Sequence, residues 1–144
     1  MTAQELWKQY STKDNITAEY DAWAFGDDPD TLAALVLQGI KTGTASAYPF
    51  YALEGEPLPE EGGFNVILNS REEAVCITRT TKVYVTSFRE VSAEHAWKEG
   101  EGDRTLEYWR TVHERFFREE LETAGLPFDW DLKVVCEEFT KVFP

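Results

Sequence analysis

The chain has 144 residues, 42% of them hydrophobic and 14% aromatic, which indicates a folded domain with its own core and excludes a disordered tail. Its 27 acidic side chains outnumber its 14 basic ones, and the formal net charge is −13. This balance argues against tight, sequence-independent binding of long nucleic acids and favours a small neutral ligand such as a nucleoside.

The first part of the chain predicts two helices, over residues 2–10 and 29–38. Apolar residues recur at helical spacing in both segments. Asp28 supplies a side-chain cap for the second helix, and Pro29 suits its first position. Gly39 then suits the end of that helix.

The middle of the chain changes to a strand pattern. Segments 64–68, 74–78 and 81–86 are rich in β-branched and aromatic residues, and turn-forming residues lie between the predicted strands. Short strands at close spacing predict a small barrel or a curled antiparallel sheet.

The last part of the chain returns to helix and ends in a strand. An amphipathic helix is predicted over 105–124, with Asp103 as its cap and Gly125 at its end. A final strand over 132–139 completes the sheet. The predicted fold class is α+β, in a single domain because no internal repeat or linker divides the chain.

Two features of the sequence concern the environment of the protein. Cys76 and Cys136 stand alone in strand-like runs without metal-ligand spacing, so we expect buried thiols in a reducing cytoplasm. Residues 1–8 lack the pattern of a signal peptide, and no apolar run approaches the ~20 residues of a membrane helix. We therefore expect a cytoplasmic location and no membrane contact.

The segment 39–46 (Gly-Ile-Lys-Thr-Gly-Thr-Ala-Ser) is the first candidate for chemistry. One short turn can aim both Lys41 and Thr44 into the same cavity. A lysine that loses its proton in a dry cavity can activate a neighbouring hydroxyl. The same pattern also fits an exposed loop lysine followed by a strand-start threonine. A second polar cluster, Glu-Gly-Glu-Gly-Asp at 99–103, favours the catalytic interpretation of the segment 39–46.

Aromatic and histidine residues could likewise serve either in a binding or catalytic site or in the packing of the core. Phe25 and Tyr48 flank the segment 39–46 and could stack on a nucleobase, although packing in the barrel mouth and core is the favoured interpretation of each. We expect His113 to be packed and hydrogen-bonded rather than catalytic. His95 is the only other histidine, so the sequence gives little support to a histidine metal site or a Ser-His-Asp triad. We predict no metal and no cofactor.

With these elements placed, the chain resembles the ASCH domain family, which belongs to the PUA-like group of small β-barrels. The resemblance covers nearly the whole chain, as one domain over residues 1–144. Its motifs are Phe25-Gly26-Asp27, the run Leu35 to Ser46, Thr81-Lys82-Val83 with Ser87-Phe88, the run Glu99 to Trp109, and His113 with Phe116-Phe117. The resemblance implies a PUA-like small mixed β-barrel flanked by helices.

The resemblance also implies an activity. Some small bacterial members of the family remove the acyl group from N4-acylated cytidines, using a lysine, a threonine and a glutamate. The lysine and the threonine match Lys41 and Thr44. The glutamate falls within the acidic cluster, where Glu101 is favoured and Glu99 and Asp103 remain alternatives.

In such a site, Thr44 would supply the attacking hydroxyl and a neutral Lys41 would take its proton. Glu101 would hold the departing amine and return a proton to it. A water attacking in place of Thr44 is equally compatible with the sequence. The residues expected to bind substrate are Phe25, Ser46, Tyr48 and Asp103. The small amidohydrolases are shorter and often carry arginine at the position of Ser46.

Two other functions stay open at this point. A non-enzymatic module of the PUA-like type would bind RNA or a modified nucleotide in the same cleft. Ribonuclease activity, ascribed to other bacterial members of the family, is the third, and the acidic charge and lack of a histidine pair count against it. The expected partner is a small-molecule nucleoside or nucleotide, or RNA. The oligomeric state is not predicted.

Overall fold

A computed structural model describes every residue, Met1–Pro144, and places five strands in a single sheet with five α-helices around it. The strands are β1 (Tyr20–Ala24), β2 (Gly43–Ala47), β3 (Phe64–Leu68), β4 (Ala74–Ser87) and β5 (Lys133–Phe143). The helices are α1 (Ala3–Lys13), α2 (Pro29–Leu37), α3 (Pro49–Glu54), α4 (Ala93–Glu99) and α5 (Leu106–Thr123). Of the helices, none is both long and apolar enough to cross a membrane.

The sheet is mixed and curled. Its strand order is β1-β3-β4-β5-β2, with β1 parallel to β3 and all other neighbours antiparallel. The register between β4 and β5 shifts at Ile77/Thr78 and again at Thr80/Lys82. Such bulges bend a strand and increase its twist. The sheet therefore forms a half-barrel whose two edge strands do not pair, and the predicted α+β class with a mixed barrel-like sheet is confirmed.

Strand β4 corrects one prediction. The segments 74–78 and 81–86 were expected as two separate strands, but they form one strand of 14 residues. The residues between them keep their pairing with β5, and the bulge at Thr80/Lys82 absorbs the change of register without a turn. The final strand β5 is correspondingly longer than predicted and extends to Phe143, because β4 provides a partner along most of its length.

The start of α5 corrects another prediction. Its N-cap is Thr105, whose hydroxyl oxygen accepts a hydrogen bond from the Tyr108 N–H. Asp103, which was expected to cap the helix, instead accepts hydrogen bonds from the N–H and the hydroxyl of Thr105. Asp103 thus orients the capping residue, while the cap itself lies two positions later.

Helices α1 and α2 differ from prediction at one end each. α1 continues to Lys13 because its last turn keeps helical hydrogen bonding through the polar residues that were expected to end it. Pro29 opens α2 as predicted, but Asp28 has a φ of 45° and makes no capping hydrogen bond. A cap residue normally has extended backbone, whereas Asp28 is in the left-handed region.

The core consists of apolar clusters on both faces of the sheet. One cluster packs α4 and α5 against β4 and β5, and it includes Phe88, Trp109, Phe117, Val134 and Cys136. A second cluster lies under α2 and includes Phe25, Val36, Ile67, Cys76 and Phe139. Both cysteines are free and buried, as expected. Cys136 and Phe139 of β5 thus lie in opposite clusters, and the candidate site described below contacts Trp109 of the first cluster and Phe25 of the second.

Candidate functional site

Lys41 lies between α2 and β2, and its side chain is only 1% exposed. Its Nζ is 2.9 Å from Glu101 Oε2 and 3.3 Å from Glu99 Oε1. The ring of Phe25 lies against it, with the ring centroid 5.1 Å from Nζ. Two carboxylates at these distances pair with the buried ammonium and offset the cost of its desolvation. The structure thus brings together three of the predicted site residues.

The loop that carries the two glutamates approaches the lysine closely because of Gly100. This residue ends α4 with a φ of +72°, and a Cβ on it would lie 2.7 Å from the carbonyl oxygen of Ile40. A backbone hydrogen bond of 2.7 Å from the Thr42 N–H to the Lys98 carbonyl joins the same two segments. A side chain at Gly100 would force the loop away from the lysine.

Glu99, the last residue of α4, is the centre of a buried hydrogen-bond network. Its Oε1 faces Lys41 Nζ at 3.3 Å and His113 Nε2 at 3.4 Å. Its Oε2 lies 2.7 Å from His95 Nε2 and accepts a hydrogen bond of 2.6 Å from Trp109 Nε1. Four donors saturate the acceptor sites of a carboxylate, so Glu99 has none left for a substrate.

The charges around Glu99 determine its protonation. Burial by itself would raise the pKa of Glu99, but the positive charges of His113 and Lys41 and its hydrogen bonds outweigh burial and hold the pKa well below its usual value. Glu99 is therefore a carboxylate at neutral pH, and it holds Lys41 from the inner side. Glu101, whose side chain is 16% exposed, holds it from the outer side.

Both histidines contact Glu99. Nδ1 of His113 donates to the Trp109 carbonyl oxygen at 2.9 Å, and the two rings stack with centroids 4.1 Å apart. Burial lowers the pKa of His113, but the Glu99 charge more than compensates and raises it overall. Burial also lowers the pKa of His95, while its neighbours Cys136 and Glu99 raise it to about 9. His113 is packed and hydrogen-bonded, as expected from the sequence.

The meeting of the two histidines at one carboxylate was not predicted. His95 and Glu99 are four residues apart on α4, which places them on the same face of that helix. This spacing would have been a usable signal, but α4 has only seven residues and was not recognised as a helix. Without that helix, the i, i+4 spacing does not connect His95 to the acidic cluster.

Three residues around Lys41 are of the types that can bind a metal ion. Glu99, Glu101 and His113 offer ligand atoms that lie within 4.8 Å of one another. The ammonium of Lys41, however, contacts both carboxylates of this set at 2.9–3.3 Å. A divalent cation on these oxygens would lie next to that positive charge, and so the residues form an ion-pair network better suited to holding the lysine than to holding a metal.

Thr44 and Ser46 lie on β2 and, two residues apart, face the same side of the sheet. The Ser46 hydroxyl is 2.7 Å from the Tyr51 hydroxyl. Thr44 is half-buried and pairs with Glu137 on β5. The side-chain hydrogen bonds of Lys41 go to Glu99 and Glu101, and none goes to Thr44. The predicted lysine and threonine thus lie in neighbouring segments without a direct bond.

The other two predicted substrate-binding residues lie farther out. Tyr48 is exposed at the start of α3, where the Lys133 ammonium is 5.7 Å from its ring centroid. Asp103 is exposed, and its hydrogen bonds stay within its own loop, to Thr105. The structure brings neither residue into contact with Lys41.

Comparisons with known proteins agree with this architecture. The family model described as ASCH domain matches residues 21–143. The ASCH domain from Lactobacillus crispatus JV V101 is 30% identical with a TM-score of 0.92, over 98% of this chain and 94% of that chain. A protein from Enterococcus faecalis V583 is 36% identical with a TM-score of 0.90, over 97% of this chain and 87% of that chain. No curated protein sequence matches the chain.

Proposed function

This chain belongs to the ASCH domain family, and we propose that it is a small-molecule amidohydrolase that removes the acyl group from N4-acylated cytidine or a related modified nucleoside. The observation that carries the proposal is the buried Lys41 ammonium held between Glu99 and Glu101. A buried ion pair is costly to build and gives little stability for that cost. Its presence beside a half-buried hydroxyl on a curled sheet therefore supports a chemical role.

Amide hydrolysis requires a nucleophile, a proton acceptor and a group that stabilises the charge developing on the carbonyl oxygen. The ammonium of Lys41 suits the third task, because a fixed positive charge shielded from water stabilises an oxyanion strongly. A role as base would require a free amine, whereas Lys41 is ion-paired with two carboxylates. The contacts therefore favour an electrostatic role over the basic role expected from the sequence.

Glu101 is suited to contact the substrate. Of the two carboxylates on Lys41, only Glu101 has an exposed edge and free acceptor sites. It can accept a hydrogen bond from the N–H of the scissile amide while it holds the lysine in place. Thr44 supplies the attacking hydroxyl, and Phe25, which is buried against Lys41, keeps water away from the ammonium.

The net charge of −13 agrees with this substrate class. An uncharged nucleoside does not have to overcome the negative field of the protein, whereas a polynucleotide does. The residues that contact Lys41 also include no additional cation to bind phosphate. A neutral modified nucleoside is thus the ligand that the site and the overall charge both favour.

The experiment is hydrolysis of N4-acetylcytidine, followed by liquid chromatography of the released cytidine. We expect wild type to release cytidine, and Lys41→Met and Glu101→Gln each to lower kcat/KM by about 10²-fold or more. Lys98→Met is the matched control, because Lys98 also forms ion pairs with two glutamates but does so at the surface of α4. This control is expected to keep the wild-type rate.

Absence of cytidine release by wild type, across acetyl and bulkier acyl groups, would overturn the proposed activity. Saturable binding of the same compounds without turnover would then favour the non-enzymatic alternative. Affinity that falls steeply with salt would further indicate that the bound species is a phosphate-bearing nucleotide or RNA.

A further inference from the structure

Glu137, near the middle of β5, is a buried carboxylate to which the mechanism above gives no role. It is 7% exposed, and it accepts no hydrogen bond from any side chain or backbone group. Glu99, buried to a similar extent, is saturated by four donors. The Glu137 oxygens are not completely enclosed, so the carboxylate faces space that water or a ligand can reach. Buried polar groups are normally paired, and a carboxylate open to such space is a candidate for contact with a ligand.

The position of Glu137 in the sheet is well defined. It lies directly opposite Thr44 of β2 on one side and Val83 of β4 on the other. Residues directly opposite one another in antiparallel strands project to the same face, with Cβ atoms about 4.5–5.5 Å apart. The Glu137 and Thr44 side chains therefore start from neighbouring positions on one face of the sheet.

That face borders the candidate site on the side of Phe25. Phe139, two residues after Glu137, packs in the same apolar cluster as Phe25, which lies against Lys41. Cys136, the residue before Glu137, faces the opposite cluster with α5. Because side chains alternate along a strand, Glu137 projects toward the side of Phe25.

The charged and titratable groups around Glu137 are acidic or phenolic. The charge of Glu99 at the end of α4 acts on Glu137, and the charges of Glu137 and of Glu120 of α5 in turn raise the pKa of Tyr51 of α3. Burial, reinforced by the charge of Glu99, raises the pKa of Glu137 to about 7. A carboxylate near that value can both take and return a proton at neutral pH.

We propose that Glu137 is the general base for the Thr44 hydroxyl during cleavage of the amide. This inference rests on the amidohydrolase function proposed above. It supplies the proton acceptor that Lys41, held as an ammonium by two carboxylates, does not provide. The site then consists of a threonine and a glutamate on adjacent strands, with the lysine and Glu101 on the loops at their side.

The first half of the reaction transfers the acyl group to Thr44. The threonine oxygen forms a bond to the acyl carbon while its proton moves to Glu137. Lys41 stabilises the resulting oxyanion. The C–N bond then breaks, and Glu137 gives the proton to the leaving nitrogen, so that the free amine departs and an ester remains on Thr44.

The second half repeats these steps with water. A water oxygen attacks the ester carbon and gives one proton to Glu137, and the bond to the threonine oxygen breaks as that oxygen regains the proton. The net reaction is amide plus water to carboxylic acid plus amine. No oxidant, metal or additional co-reactant is needed.

The test compares Glu137→Gln with Glu138→Gln. Glu138 is the next residue of β5, faces the opposite side and pairs with Lys98, so it is a matched control. With N4-acetylcytidine, we expect Glu137→Gln to lower kcat by about 10²–10⁴-fold with little change in KM. The Glu138→Gln variant is expected to keep wild-type kinetics.

Two further readouts separate a base from a merely structural residue. In wild type, kcat/KM is expected to rise with pH through a midpoint near 7, because the base must be deprotonated, and Glu137→Gln should abolish that limb. The Tm of Glu137→Gln at alkaline pH is expected to be higher than that of wild type. Loss of activity together with a lower Tm would indicate a structural role and overturn the inference.

The remaining outcomes separate this inference from the function on which it rests. A wild-type enzyme without activity overturns both. An active wild type whose rate survives in Glu137→Gln overturns only the role of Glu137. Should Glu137→Gln fail to fold, the wild-type profile decides: a midpoint near 7 supports the inference, and a kcat/KM independent of pH from about 5.5 to 8.5 overturns it.

Discussion

Replacement of Glu99 by glutamine should destabilise the protein far more than replacement of an exposed glutamate on the same helix. Glutamine has nearly the same shape, so the cavity is preserved while the charge is lost. Lys41 would then lose one of its two carboxylate partners, and His113 would lose the carboxylate beside its Nε2. Removing one partner of a buried pair typically costs about 3–5 kcal/mol, because the remaining charge is left uncompensated.

The expected effect is easily measured by thermal unfolding with circular dichroism. For a domain of this size, about 3 °C of Tm corresponds to each kcal/mol, so Glu99→Gln should lower the Tm by about 10–15 °C near pH 7. Glu94→Gln is the control on the same helix, since Glu94 pairs with Lys98 but is 78% exposed. It should leave the Tm unchanged.

The pH dependence of stability provides a second test of the role of Glu99. The pKa of Glu99 is held well below its usual value, so its contribution is present above the unfolded-state pKa of about 4.3 and is lost as pH falls through the folded-state value. Glu99→Gln should remove this part of the acid unfolding. A Tm for Glu99→Gln within about 3 °C of wild type would refute the claim that Glu99 compensates the buried cations.

Three further predictions concern the loop, the base and the nucleophile. Gly100→Ala should cost at least about 2 kcal/mol in urea unfolding, since a left-handed residue would gain a Cβ that clashes with Ile40; an unchanged midpoint would contradict the close approach. The pKa of Glu137 is raised to about 7, so wild type loses stability as pH rises from about 4.3 to 7. In urea unfolding, Glu137→Gln should therefore be more stable than wild type by about 2–3 kcal/mol at pH 8, and no more stable near pH 4. Thr44→Val should abolish hydrolysis of N4-acetylcytidine while Thr44→Ser keeps it within about tenfold; turnover by the valine variant would show that water attacks directly.

The parts of the fold that the sequence predicts are those with strong periodicity or enough length. The apolar face of α5 and the β-branched run of β3 identify those elements almost to the residue. Helices α3 and α4 and strands β1 and β2 have five to seven residues each, too few for the period to distinguish helix from strand. The bulges of β4 depend on its pairing with β5, which no local pattern encodes.

The sequence indicated candidate residues for the site but not their geometry. Resemblance to a family indicated Lys41 and Glu101, and the structure brings these two within 2.9 Å of each other. Glu99 is fully buried and Glu101 is partly exposed. Because both residues belong to one glycine-rich segment, the sequence alone does not show this difference. Glu137 was not among the candidates, because its position opposite Thr44 follows from a strand register between distant parts of the chain.

The most direct test of the proposed site is hydrolysis of N4-acetylcytidine by wild type and Glu101→Gln at neutral pH, with both proteins shown to be folded. The contacts of Lys41 and Glu101 predict release of cytidine and acetate by wild type and a loss of about 10²-fold or more in kcat/KM for the variant. Equal rates for the two proteins, or no release by wild type, would contradict an amidohydrolase site at this ion pair.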